Sequence, residues 1–274
     1  MLSTSPSPDE PTLGEATFWQ SLMIQKRVIG ALLMREILTR YGRHNIGFMW
    51  LFAEPMILTL GVNALWNLMK HHTEAGISIA AFVLTGYSTI LLWRNMPNRC
   101  VGAILPNFSL LHHRQVRPLD VFVSRLILEA SGATISLVVL SMAFCGFGLV
   151  EPPEDYLKVF AGWALLTWFA ISLSLFIGAF SERSEIIHKF WHPITYLILP
   201  LSGSMFMVDP LPLSVQKLAL YMPTVSCIEL FREGFLGTTH RWHYDLGYVV
   251  AFNTVLMLLG LAEIKHMSRH LTLQ

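Results

Sequence analysis

Six stretches of this chain run almost uncharged for the length of a membrane crossing. They are residues 50–69, with one charge at Glu54, then 77–93, 130–150, 159–180, 191–208 and 246–262, the fifth holding only the titratable His192. Crossing about 30 Å of hydrocarbon takes roughly 20 apolar residues in a helix. In lipid the backbone must satisfy its own hydrogen bonds, so such runs predict helices, and the alternation of a transmembrane barrel is missing. The expected fold is an all-α integral membrane protein with six transmembrane helices. Their bounds fall near 50–69, 77–97, 122–150, 158–180, 189–208 and 246–266. Together they form a membrane domain over 46–270.

Composition agrees with this pattern: 53% of the 274 residues are apolar and only 14% charged. A soluble domain carries about 25% charged residues. Residues 1–17 are polar, rich in Pro and Ser, and mildly acidic. They lack the basic start and apolar core of a secretory signal, so no cleavage is expected and the segment reads as a disordered cytoplasmic tail.

The charges decide orientation, since cytoplasmic loops collect Lys and Arg. With the N-terminus inside, the inner set is Lys26, Arg27, Arg35, Arg40, Arg43, Arg94, Arg99, Arg114, Arg117, Arg125, Arg183, Lys189, Lys265 and Arg269. The outer set is Lys70, Lys158, Lys217, Arg232 and Arg241, so the 19 basic residues divide 14 to 5. Both termini are expected in the cytoplasm.

Three segments outside the spans carry more information than the spans. Residues 18–45 mix apolar and basic positions; they suit a helix at the cytoplasmic membrane interface, or one packed on neighbouring elements. Residues 98–118 form a short basic loop with an apolar, helix-like piece, 101–111, broken by Pro106; docking onto a soluble partner explains it better than a plain turn. Residues 209–245 hold two apolar pieces, 213–222 and 224–236, each too short to span. Such pieces read as re-entrant elements in a protein-lined vestibule.

Little in the chain suggests catalysis. His71-His72 and His112-His113 fall on opposite sides of the membrane. His188 and His192 share a helix face but lack the Glu of a zinc helix and a third ligand. Cys100, Cys145 and Cys227 lie at different depths, so no disulfide is proposed. No Gly-Lys dipeptide occurs, which removes a P-loop of the usual form, and a net charge of +1 gives no case for nucleic acid. No metal or cofactor site is expected. A membrane-embedded transferase would need polar groups converging at one depth, and the chain offers only Glu54, Glu129 and scattered histidines.

Some charges near the membrane remain. Arg125 and Glu129 have the spacing of a same-helix ion pair. Glu229, Arg232 and Glu233 either hold the outer turn or contact a polar substrate. Tyr87, Trp163 and Trp168 sit well within spans, where aromatic faces suit sugars but also ordinary packing.

The run Met34-Arg-Glu-Ile-Leu-Thr-Arg-Tyr-Gly-Arg-His-Asn-Ile-Gly-Phe-Met-Trp-Leu-Phe-Ala-Glu-Pro-Met56 closely resembles the permease subunit of capsular-polysaccharide ABC exporters, the KpsM-type branch of the ABC-2 family. Residues 222–235, MPTVSCIELFREGF, resemble that family's outer segment; a His often found after the Pro there is replaced by Ser226-Cys227. The resemblance implies a multi-pass permease in a bacterial inner membrane, working as a homodimer on two separate ATPase subunits. ATP and Mg would bind those partners and no cofactor this chain. It also implies periplasmic co-polymerase-type and outer-membrane export partners, and a lipid-linked capsular polysaccharide as substrate. A permease for another glycan, O-antigen or teichoic acid, or for small-molecule efflux, is the alternative.

Expected roles follow. The ATPase-coupling loop comprises Asn98, Arg99, Leu105, Pro106, Asn107, Phe108, Leu110, Leu111, His112, His113 and Arg114. The glycan pathway would include Tyr87, Trp163, Trp168, Glu229, Arg232 and Glu233. Arg40, Arg43, Glu54 and Pro55 would form an entrance hinge. If a helix begins just before Glu54, Pro55 falls in its first turn, where a missing N–H costs little, and Glu54 complements the helix dipole.

Overall fold

The computed structural model describes residues 18–41, 45–69, 77–108, 116–238 and 240–271. Among them every regular element is helical. In chain order the helices are α1 (Phe18–Tyr41), α2 (Asn45–Leu68), α3 (Ile79–Cys100), α4 (Pro118–Gly146), α5 (Tyr156–Ser181), α6 (Glu185–Ile198), α7 (Leu213–Leu220), α8 (Pro223–Leu236) and α9 (Leu246–Leu271).

Local chemistry sets several boundaries. Asp155 caps α5, its carboxylate accepting from Leu157 N at 2.9 Å and Lys158 N at 3.2 Å, and Ser78 caps α3 through Ala81 N at 3.2 Å. Such a side chain satisfies donors that the first helical turn leaves orphaned. Pro118 and Pro223 open α4 and α8, where a missing N–H costs nothing. Gly237, at φ +80°, ends α8.

By length and composition α4, α5 and the 246–269 part of α9 are apolar enough to cross a membrane. Helix α5, whose one charged residue is Lys158 in its first turn, is the hub, packed on α3, α8 and α9. Gly162 permits α8 to lie against it: a Cβ there would come within 2.6 Å of Phe231 N. Twelve of the 14 residues of α8 are buried, so this short helix belongs to the core.

Four expectations meet a different geometry. The stretch expected as the fifth span, 189–208, is helical only through Ile198; a single 3₁₀ turn (Leu199–Leu201) and irregular backbone follow. Pro200 lies in that turn and Gly203 follows at φ +84°, which breaks the helix. The piece 101–111 holds a three-residue 3₁₀ turn, Leu105–Asn107, with Pro106 inside it, while Asn98 and Arg99 belong to the last turn of α3. Pro55 is not in a first turn: α2 begins at Asn45, so Glu54 and Pro55 lie within it. Their side chains, like residues 42–44, fall outside the described residues, Arg43 of the expected hinge among them. Finally, Arg125 and Glu129 form no ion pair with each other; each pairs with a residue of α1.

Candidate functional site

That fourth difference belongs to a cluster of charges joining α1, α3 and α4. Arg125 Nε lies 3.3 Å from Glu36 of α1, and its Nη1 donates to Arg99 O at 2.7 Å. Glu129 instead pairs with Arg40 of α1 and, at 3.5 Å, with Arg99 of α3. Glu36 and Arg40 close the cluster with their own pair at 2.8 Å. Further out, Gln25 donates to Asp120, whose other oxygen accepts from Arg117 N at 2.8 Å. The carboxylate of a helix first turn thus also anchors α1.

The loop after α3 joins this network. Arg35 donates to Asn107 Oδ1 at 2.6 Å, and Asn107 Nδ2 returns to Ala103 O at 2.8 Å. From the other side, Ile104 N donates to Glu182 at 2.9 Å and Gly102 N to Ser181 Oγ at 3.2 Å. Burial against this turn pushes the Glu182 carboxyl up from the usual carboxylate range, with Ile104 N–H pulling it partly back. Asn107 is buried, whereas Leu105, Pro106 and Phe108 stand exposed. Leu110, Leu111, His112, His113 and Arg114 lie outside the described residues.

At the opposite end of α3, two charges on one face of α8 hold the irregular segments together. Arg232 is fully buried. Its guanidinium donates to Gly203 O (2.9 Å), Phe206 O (2.6 Å), Ser204 O (2.6 Å) and Thr85 Oγ1 (3.4 Å), and lies 4.5 Å from the Phe82 ring centre. Gly86 makes room for this clasp: a Cβ there would sit 2.3 Å from Ser204 O and 2.9 Å from Arg232 Nη2. Glu229, three residues back and so on the same helix face, accepts from Val208 N and His243 N, both at 3.3 Å. Glu233 pairs with Lys158 at 3.0 Å.

Of the expected pathway residues, Glu229, Arg232 and Glu233 come together, with Trp163 beside them; its ring lies 5.6 Å from that of Phe231, and its Nε1 donates to Thr134 Oγ1. Tyr87 lines a small recess with Gly86 and Ser204. Trp168 is half-buried further along α5, away from this group. Among the described residues no His, Cys, Asp and Glu side chains gather as a metal site, and Cys100, Cys145 and Cys227 are free thiols.

The described residues form a helical core with two polar fastenings, one binding α1 to α4 and the loop after α3 and one binding α8 to the segment after α6. The sequence reading overlooked Glu36, Asp120, Glu182 and Gly86. Only Glu36 left a local trace, four residues before Arg40.

Residues 27–236 match the family model described as ABC-2 type transporter. The capsule polysaccharide export inner-membrane protein CtrC of Neisseria meningitidis serogroup B is 43% identical over 257 residues, covering 94% of this chain and 97% of that protein. The capsule polysaccharide export inner-membrane protein BexB of Haemophilus influenzae is 40% identical over 255 residues, covering 93% and 96%. The polysialic acid transport protein KpsM of Escherichia coli is 27% identical over 243 residues, covering 87% and 93%.

Proposed function

This chain belongs to the ABC-2 type transporter family, and from that premise we propose that it is the inner-membrane permease of a capsular-polysaccharide exporter. The observation that carries the reading is near-full-length similarity to two capsule export inner-membrane proteins. The permease moves a lipid-linked polysaccharide from the cytoplasm, and a separate ATPase subunit hydrolyses the ATP. The missing P-loop supports that division of labour.

On this reading two copies form the channel and two ATPase subunits dock from the cytoplasm. The loop 98–118 receives the ATPase, with both termini on the same side. Helices α2, α3, α4, α5, α6 and α9 make six crossings, and α7 and α8 re-enter at the outer mouth. The fourteen residues of α6 reach only about 21 Å, so the irregular 199–208 segment completes its crossing; such backbone is tolerated at membrane depth where protein surrounds it. The clasp of Arg232 on Gly203, Ser204 and Phe206 supplies that protection. Periplasmic and outer-membrane export proteins continue the route.

The test is co-expression with a candidate ABC ATPase subunit. A stable complex is expected, and deleting the permease should abolish surface polysaccharide. No complex, together with unchanged surface polysaccharide after deletion, would sink the proposal.

A further inference from the structure

Along one seam, α3 and the chain from α6 onward run antiparallel in a constant register. A Cβ on Gly102 would meet His188 at 2.5 Å, Arg94 lies 4.0 Å from the Tyr196 ring centre, and a Cβ on Gly86 would meet Ser204 at 2.3 Å. In the middle of this seam sits a cation with no counter-charge. Arg94 is half-buried, yet among the described residues its guanidinium donates no hydrogen bond and meets no carboxylate; its Nε is enclosed and unpartnered. Trp191 Nε1, nearer the cytoplasm on α6, is likewise a buried donor without an acceptor. By contrast, Arg35, Arg40, Arg99, Arg125, Arg183 and Arg232 all hold protein oxygens.

Arg94 stands six residues from the end of α3, about 9 Å. On the expected orientation this is the depth of the inner headgroup layer, where a cation meets anionic lipid groups. Stacking on Tyr196 covers one face of the guanidinium and leaves its edge free, the geometry that suits a two-oxygen anion. Beside it, Phe190 and Leu197 expose apolar surface on α6.

We propose that Arg94, stacked on Tyr196, binds the anionic group of the membrane-anchored substrate as it enters from the inner leaflet. The ligand is the oxyanion of an acidic glycolipid, whose chain lies on the open apolar face of α6. This rests on the permease reading above. The oxyanion has two sources, a phosphate at the lipid anchor or carboxylates on the sugars, and the test separates them.

The full permease–ATPase complex is examined by native mass spectrometry with dioleoylphosphatidic acid against dioleoylphosphatidylcholine, which has the same chains. The wild type should retain the phosphatidic acid at least tenfold in preference. Arg94→Gln should abolish that preference, Arg94→Lys should keep part of it, and Tyr196→Leu should weaken it. Tetragalacturonic acid that displaces the lipid assigns the site to sugar carboxylates; failure to displace it assigns the anchor phosphate. In cells, Arg94→Gln should lower surface polysaccharide at least tenfold at equal membrane abundance. Equal preference in wild type and Arg94→Gln, no preference in the wild type, or full export by Arg94→Gln overturns the proposal. If Arg94→Gln does not assemble, Tyr196→Leu decides: an unchanged preference overturns it. Wild-type rescue of surface polysaccharide in a deletion strain keeps the permease reading separate, since that reading falls only if rescue fails.

Discussion

Replacing Arg232 distinguishes a fastening from a substrate contact. The side chain is fully buried and donates to three backbone carbonyls and one hydroxyl. Each buried carbonyl left without a donor costs about 1–3 kcal/mol. Glu229 would also lose the nearby positive charge, and removing one partner of a buried charged pair costs about 3–5 kcal/mol. These terms overlap, because water can enter a loosened segment, so Arg232→Gln should destabilise the permease by about 3–5 kcal/mol. That is a large share of the roughly 5–15 kcal/mol that holds a typical fold. Lysine keeps the charge but not the planar fork, so Arg232→Lys should lose about 2 kcal/mol by serving fewer carbonyls. The assay is the temperature at which the detergent-solubilised protein loses its monodisperse elution peak. Both variants should fall below wild type, glutamine further, and surface polysaccharide should fall only in step with folded protein. An unchanged melting temperature with export abolished would refute the reasoning and return Arg232 to the substrate pathway.

Gly86→Ala forces a methyl to within 2.3 Å of Ser204 O; it should cost about 1–3 kcal/mol as overpacking, read by the same melting assay, and a neutral result would mean the segment after α6 moves freely. A double-mutant cycle on Arg40→Gln and Glu129→Gln should give a coupling of about 0.5–3 kcal/mol between helices far apart in sequence, whereas additivity would deny the α1–α4 pair. Because burial raises the Glu182 carboxyl pKa, the folded state binds its proton more tightly, so stability falls as pH rises from the ordinary carboxylate range through the raised value. Glu182→Gln, which keeps an acceptor for Ile104 N–H, should therefore gain melting temperature relative to wild type at pH 7 compared with pH 4.5; a gain that does not depend on pH contradicts this.

The helices were legible wherever the chain is uniformly apolar. Residues 118–146 and 156–181 carry too little charge to be anything else, and Asp155 and Pro118 announce their starts. The stretch 189–208 misled because hydropathy ignores backbone geometry: Pro200 and the left-handed Gly203 end the helix where apolar residues continue. The same limit hid the start of α2, since Pro55 reads locally as a first-turn residue yet lies inside the helix. Charge pairing was half legible. The spacing of Arg125 and Glu129 put both on one face, but nothing in a single sequence says that Glu36 and Arg40 lie opposite them. Arg232 was visible as a charge in the outer apolar piece 224–236; its three carbonyl partners come from a segment whose shape depends on it.

The most direct test of the permease reading uses inverted membrane vesicles containing this chain and its ATPase, supplied with lipid-linked capsular polysaccharide on the outside. The account predicts that ATP moves the polysaccharide into the lumen, where an added glycosidase no longer reaches it, and that vesicles lacking either subunit show no protection. Equal protection with and without the permease, or without ATP, would contradict it.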